Sequence, residues 1–463
     1  MAGPCDPATL PGRHVLVVGL GRTGAALARH LSARGARVRA CDRRPEAPLP
    51  EGTDPAVEVV RGADGPEQLE GIDLVIPSPG VPASAPLLVA AVERGIPVRS
   101  EIELAAAAIA APLVAITGTN GKSTTTSLIG EMLERAGRRT FTGGNLGTPL
   151  VDAAAGAYDV VVAEVSSFQL EWVEHFRPRV GLLLNVTDDH LDRYRDFAHY
   201  RDTKARLFAG QDAGDVAILN RDDAAVMAVA PGLRADVRTF GSARPRDGSG
   251  APSRVAYVAD DAIVLREHSA ELRFSLARTT LRGQHNRENL MAALLAARAL
   301  DVPPPVLQAT VDTFPGLRHR LETVRETGGV AFVDDSKGTN VGALLKSLEG
   351  YGDGRVVLIA GGLAKGGDYT VARPLLARKA RHVVVYGAAR AFLEESWGGA
   401  VDLESHERFA DAVGAAIVRA RPGDVVLLSP ACASMDQFKD YAARGDAFAA
   451  LVRGIPNDDV TRC

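Results

Sequence analysis

The sequence has little cysteine, few aromatic residues, hardly any lysine, no long apolar run and almost no net charge. Cys5, Cys41, Cys432 and Cys463 are scattered through 463 residues, and their spacing makes neither a zinc pattern nor a disulfide framework. A reducing, cytoplasmic setting is expected. Fifty-three Lys+Arg against 57 Asp+Glu leave −4, so no basic field advertises nucleic acid or an anionic membrane surface, and neither is expected as a partner. The longest apolar stretch, from Leu104 to Ile116, is broken by Pro112 and is too short to span a bilayer. The first residues, Met-Ala-Gly-Pro-Cys-Asp-Pro, lack the cationic start and apolar core of a signal peptide. A chain 46% hydrophobic and 24% charged, with mean hydropathy +0.01, is globular and excludes a collagen-like, coiled-coil or disordered protein. Lysine is the most informative scarcity. Only seven of the 53 cations are lysine, at 122, 204, 337, 346, 365, 379 and 439. Where arginine is the default, a lysine is a candidate for work needing a point charge or a deprotonatable amine.

At this length two to four domains are expected, and three blocks of alternating strands and helices can be read. The first opens with His14-Val-Leu-Val-Val18, a glycine turn, a helix to about Arg34 and a strand at Arg37–Cys41; strands follow at Asp73–Ile76 and Ile96–Val98. The second restarts after Pro112 with Leu-Val-Ala-Ile-Thr117, continues through strands at Asp159–Ala163 and Val180–Leu184, and closes with a helix over about Asn286–Leu300. Residues 236–276 read as an antiparallel annex. The third begins after Phe314-Pro-Gly316, with strands at Val356–Ile359, His382–Val385 and Val425–Leu428. Strands alternating with helices of this length predict doubly wound, mainly parallel sheets.

Two glycine turns stand out. Gly19-Leu-Gly-Arg-Thr-Gly24 joins a strand to a helix, and Asp42 ends the next strand, the arrangement that seats a nucleotide phosphate on a helix N-terminus. The glycines do not say which nucleotide. Thr117-Gly-Thr-Asn-Gly-Lys-Ser-Thr124 is far more specific. It is a shortened P-loop in which backbone amides turn toward phosphate, Lys122 supplies a point charge and the Ser123 hydroxyl can ligate Mg²⁺. Glu164 ends a strand nearby in Ala163-Glu-Val-Ser-Ser167, where Mg²⁺ would find a carboxylate. Asn185-Val-Thr-Asp-Asp-His-Leu-Asp192 follows another strand and offers Asp189, His190 and Asp192 as metal or substrate groups. In the third block Asp334–Asn340, Gly361–Asp368 and Ser429–Phe438 bring hydroxyls, amides and two of the rare lysines to strand ends. Lys204 by itself reads as a solvated helical lysine.

Together the Thr117–Ser123 turn, Ser78-Pro-Gly80, Gly143–Gly147, Glu164–Glu171, Asn185–Tyr194, Gly283–Asn286 and Ser429–Lys439 resemble the Mur ligase family along nearly the whole chain. The first of these is shared with folylpolyglutamate synthetases. The resemblance implies an α/β protein of three domains: a Rossmann-like N-terminal domain over 1–101 that holds a UDP-substrate, a central P-loop ATPase-like domain with a mainly parallel sheet over 102–316 for ATP and Mg²⁺, and a C-terminal Rossmann-like domain over 317–463 for an amino acid. It implies an ATP-dependent ligation of D-glutamate to UDP-N-acetylmuramoyl-L-alanine by a cytoplasmic monomer. Carried over residue by residue, Gly19, Gly21, Arg22, Thr23, Asp42, Arg43, Arg44, Gly80 and Asn145 face the UDP-substrate. Gly118, Thr119, Asn120, Gly121, Lys122, Ser123, Thr124, Asn286, Asn289, Arg320, Asp335 and Lys337 face ATP. Thr339, Lys365, Ser434 and Tyr441 face D-glutamate. Ser123, Glu164, His190 and Lys204 serve two Mg²⁺ sites, with Lys204 converted by CO₂ to a carbamate. Lys122, His190 and Lys204 are the implied catalytic residues.

Overall fold

The computed structural model describes residues 5–47, 54–189, 193–245, 254–268, 270–281, 283–364 and 368–455. His190, Asp192 and Lys365 lie outside them. The chain divides into two compact units, Met1–Thr280 with His285–Phe314, and Leu281–Gln284 with Pro315–Cys463.

The first unit holds two α/β domains. In the N-terminal one, Glu58–Arg61, Arg37–Asp42, His14–Val18 and Leu74–Pro77 pair in that order as a parallel sheet. Val15 to Val18 are all buried, as a parallel strand covered on both faces requires. Its glycine turn feeds the helix Arg22–Ala33. A Cβ on Gly24 would lie 1.9 Å from the Gly19 carbonyl oxygen, so the helix can begin this close to its strand only with glycine there. Ile96–Val98 does not form the expected strand; Val98 makes a single bridge to Val75.

The central sheet has nine strands in the order Ala270–Ser275, Ala262–Glu267, Arg254–Ala259, Asp236–Gly241, Val216–Asn220, Val180–Leu183, Leu113–Thr117, Val160–Glu164 and Thr140–Gly144. Residues 236–276 are therefore no separate annex. Asp236–Gly241 runs parallel to Val216–Asn220, and Arg254–Ala259 parallel to it in turn; only the two pairings made by Ala262–Glu267 are antiparallel. Short alternating strands look the same whether they pair with each other or extend a larger sheet, so the local pattern could not tell these apart. The strand Leu113–Thr117, flanked by Val180–Leu183 and Val160–Glu164, is buried throughout, and its carboxyl end opens into the helix Lys122–Arg135.

The second unit is a six-stranded α/β sheet ordered Glu322–Thr327, Val330–Asp334, Val425–Ala431, Val356–Gly361, Ala380–Tyr386 and Leu403–His406. All neighbours are parallel except the first hairpin. Apolar layers lie on both faces, one around Leu344, Leu358 and Trp397 and the other around Phe332, Phe409 and Phe448.

Candidate active site

Three neighbouring strands of the central sheet deliver the candidate groups at their carboxyl ends. Ile116 pairs with Glu164, and Thr117 with Leu183, so the P-loop, Glu164 and the segment after Leu183 leave the sheet side by side, where open α/β sheets place ligands. The loop is braced from that segment. The Asn120 amide donates to Asn185 Oδ1 at 2.8 Å, and Asn185 Nδ2 returns a bond to the Asn120 carbonyl at 3.1 Å. Thr119 Oγ1 accepts from the Thr187 amide at 3.0 Å. Gly121 has φ +85°, and a Cβ there would stand 2.3 Å from Asn289 Oδ1. Asn289 accepts from Thr125 Oγ1 and donates to Asn286, both at 3.3 Å. The structure thus joins the predicted Asn286 and Asn289 to the first turn of the P-loop helix.

Both central lysines point at this loop. Lys122 Nζ donates to the Gly118 and Thr119 carbonyls at 2.9 Å each. Lys204 is not the solvated lysine of its local sequence. It is 1% exposed, donates to the Gly118 carbonyl at 3.0 Å and lies 4.6 Å from the centre of the Tyr200 ring. Burial, reinforced by the Lys122 charge and opposed by Asp189, holds its amine well below the ordinary lysine range.

Glu164 is buried, and its Oε1 accepts from Asn145 Nδ2 at 2.7 Å. Its Oε2 is buried with no hydrogen-bond partner among the described residues. A carboxylate oxygen left this way is costly unless a cation or donor completes it, and its chemistry fits a hard divalent ion. Asn145, expected at the UDP-substrate, acts here as the clamp on Glu164.

The N-terminal and central domains enclose a cleft of about 1440 Å³. Of the expected UDP-substrate residues, Gly19, Gly21, Asp42, Arg43, Arg44 and Gly80 line it. Arg22, Thr23 and Asn145 are not in its lining, and Arg22 reaches instead to the Gly147 carbonyl at 2.8 Å. Asp42 is committed to the turn itself. Oδ2 accepts from the Leu20 amide and Arg44 Nη2, Oδ1 from the Arg44 amide and Nε, all within 3.0 Å. Those bonds hold its carboxyl well below the usual range.

In the second unit, Asp335 is buried and accepts from Ser347 Oγ at 2.6 Å and Ser429 Oγ at 2.8 Å, with its pKa pushed up by burial to about 6. Lys337 Nζ lies 5.9 Å from the Tyr441 ring centre. Ser336 Oγ donates to the Tyr441 carbonyl at 2.8 Å, and the Ala431 amide to the Gly338 carbonyl at 2.9 Å. Asp335, Lys337 and Tyr441 therefore share one sheet edge with the loop carrying Ser434. Two residues of this edge were missed in the sequence. Arg444 is fully buried and gathers Ser336, Tyr386 and the Cys432 carbonyl. His319 Nδ1 meets Asp334 at 2.7 Å, and its amide donates to Glu322. In an arginine-rich chain Arg444 carried no signal; His319, next to Arg320, was legible only as a neighbour.

Three family descriptions match in sequence order: the MurD-like N-terminal domain of Mur ligases at residues 13–100, the Mur ligase middle domain at 116–297, and the Mur ligase glutamate ligase domain at 319–432. The chain is 44% identical over 457 residues to UDP-N-acetylmuramoylalanine--D-glutamate ligase of Geotalea daltonii, covering 97% of this chain and 99% of that one. It is 46% identical over 458 residues to the enzyme of that name from Anaeromyxobacter dehalogenans, covering 96% and 98%. Among solved structures, it resembles a pseudomurein peptide ligase type C from Methanothermus fervidus (TM-score 0.60, 17% identity, 96% and 100% covered). It also resembles the MurF ligase from Thermotoga maritima in complex with ADP (TM-score 0.59, 16% identity, 96% of each chain). At such identities the structures speak to fold alone.

Proposed function

The chain belongs to the Mur ligase family, and from that premise we propose that it joins D-glutamate to UDP-N-acetylmuramoyl-L-alanine at the expense of ATP, as a cytoplasmic enzyme of peptidoglycan precursor synthesis. The observation that carries this reading is the near-full-length match to ligases of that name, in a chain whose P-loop, Glu164 and Lys204 meet at one sheet edge.

A carboxylate does not condense with an amine at neutral pH, because hydroxide is a poor leaving group. Transfer of the γ-phosphoryl to the L-alanyl carboxylate gives an acyl phosphate and ADP. The D-glutamate amine then attacks the acyl carbon, loses a proton, and phosphate leaves from the tetrahedral intermediate. The P-loop amides cradle the nucleotide phosphates. Lys122 exchanges the Gly118 and Thr119 carbonyls for the β- and γ-phosphates, a point charge placed where two anions must approach. Ser123 and Glu164, with His190 and a carbamate on Lys204, would hold Mg²⁺ in two sites. When bound, Mg²⁺ supplies charge neutralisation at the transferring phosphoryl. Burial of Lys204 supports the carbamate, since only an uncharged amine adds to CO₂, and the conversion, with loss of a proton, places an anion beside Lys122. The cleft takes the UDP-substrate, with Gly19, Gly21, Arg43 and Gly80 facing it and Asp42 shaping the turn. Thr339, Lys365, Ser434 and Tyr441 of the second unit take D-glutamate.

Incubation with Mg-ATP, UDP-N-acetylmuramoyl-L-alanine and D-glutamate should give ADP and a product heavier by one glutamyl residue in mass spectrometry. ADP formed without that product would contradict the reading.

A further inference from the structure

Arg193 makes an arrangement that the chemistry above does not use. Its Nε and Nη2 meet Glu171 Oε1 and Oε2 at 2.8 and 2.7 Å, a two-pronged pair. Nη1 also donates to the Pro79 carbonyl at 3.1 Å and Nη2 to the Val81 carbonyl at 3.0 Å. The guanidinium carbon lies 4.0 Å from the centre of the Phe168 ring. The Arg193 and Glu171 side chains are only 12% and 10% exposed. One side chain thus ties the Ser78–Val81 segment of the N-terminal domain to the short helix Ser167–Leu170 and Glu171 of the central domain. That segment is bonded in turn to the glycine turn, since Ser78 Oγ donates to the Gly19 carbonyl at 3.3 Å. Gly80, Val81, Phe168, Glu171 and Arg193 all line the cleft.

We propose that Arg193 is a positioning residue: paired with Glu171 and stacked on Phe168, it fixes the Ser78–Val81 wall of the cleft at the spacing the UDP-substrate requires. The assignment rests on the reading of the cleft as the UDP-substrate site. Only a planar fork can serve a carboxylate, two carbonyls and an aromatic face at once; an ammonium has the charge without the geometry. Glu171 keeps the fork charged and oriented, and Pro79 and Val81 present the carbonyls it holds. The nucleotide loop at Gly118–Thr124 has no bond to Arg193 among the described contacts, so the effect should fall on one substrate.

The test uses the full-length chain with Arg193→Lys, Arg193→Ala and Glu171→Gln. Calorimetry measures Kd for UDP-N-acetylmuramoyl-L-alanine and, separately, for ADP; steady-state kinetics gives KM for all three substrates. Arg193→Ala should weaken the UDP-substrate by about tenfold or more, the loss of one to two charged hydrogen bonds. The Kd for ADP and KM for D-glutamate should move less than about twofold on the same grounds. Arg193→Lys should recover only part of the loss, and Glu171→Gln should weaken the same substrate. Equal losses for ADP and the UDP-substrate, or an unchanged UDP-substrate Kd, would overturn the proposal. Should Arg193→Ala not fold, the lysine and glutamine variants decide it on the same criteria. If the wild-type chain binds ADP but not the UDP-substrate, the substrate reading fails, and the positioning role falls with it.

Discussion

Lys204 and Lys122 place two amines on one carbonyl oxygen, that of Gly118. Two ammonium ions that close are unfavourable in a buried site, and Lys204, the more buried, is the one whose amine is held low. If Lys204 works as a carbamate, Lys204→Ala should lose most ligase activity and Lys204→Arg should not restore it, because a guanidinium keeps the positive charge. Short carboxylic acids added to Lys204→Ala should return part of the rate; a fully active Lys204→Arg would end that reading. Lys122→Ala should lower the rate about 10²-fold or more while the far-UV spectrum and Tm stay near wild type, since its side chain donates to carbonyls of its own loop. At this scale the local sequence marks Lys122, whereas Lys204 stands out only by the scarcity of lysine and by the family resemblance. Lys122 sits inside a diagnostic loop. The partner of the buried Lys204, the Gly118 carbonyl, lies 86 residues away along the chain, and nothing in Arg201-Asp-Thr-Lys-Ala-Arg206 signals it. Arg193 is hidden for the same reason.

The P-loop shows the same division among elements. Gly121 adopts left-handed backbone, and Asn289 of the helix Gln284–Ala299 stands where a Cβ would go. Gly121→Ala should therefore raise Kd for ATP by at least about tenfold, through strain of ~1–2 kcal/mol plus the displaced Asn289. Nucleotide titration of the folded variant checks this, and unaltered ATP affinity would contradict it. That a strand, a glycine turn and a helix follow one another at 113–135 and 14–33 was readable from apolar runs and glycine spacing. Where 236–276 would pair was not, because a strand carries its hydrophobic period but not its partner. Val255, Tyr257 and Val264 gather in one small apolar cluster, while the parallel register of Asp236–Gly241 depends on Val216–Asn220.

Across the whole molecule, two buried carboxyls make stability fall as pH rises toward neutrality, opposed up to about pH 6.5 by buried His30, whose pKa burial lowers from 6.5 to about 4. Burial raises Glu101 of the first unit from 4.5 to about 7 and Asp335 of the second from 3.8 to about 6. Each holds its proton more tightly folded than unfolded, so its stabilising contribution is complete below the unfolded pKa and is lost as pH rises through the folded one. Above about pH 6.5, where His30 is neutral folded and unfolded, the carboxyls act unopposed, and Tm should fall from there toward pH 8. Glu101→Gln, which keeps an acceptor for the Val151 amide that Glu101 Oε1 now receives at 2.6 Å, should flatten that fall; parallel Tm–pH curves for variant and wild type would contradict it. The three-block α/β plan was legible because each block repeats the same alternation. The central claim is that the P-loop edge and the cleft serve one amide ligation. Phosphate release from ATP measures this most directly, with UDP-N-acetylmuramoyl-L-alanine present and D-glutamate, L-glutamate or other amino acids supplied in turn. The account predicts phosphate release that requires both the UDP-substrate and D-glutamate and is near background with L-glutamate; release indifferent to the amino acid or to the UDP-substrate would contradict it.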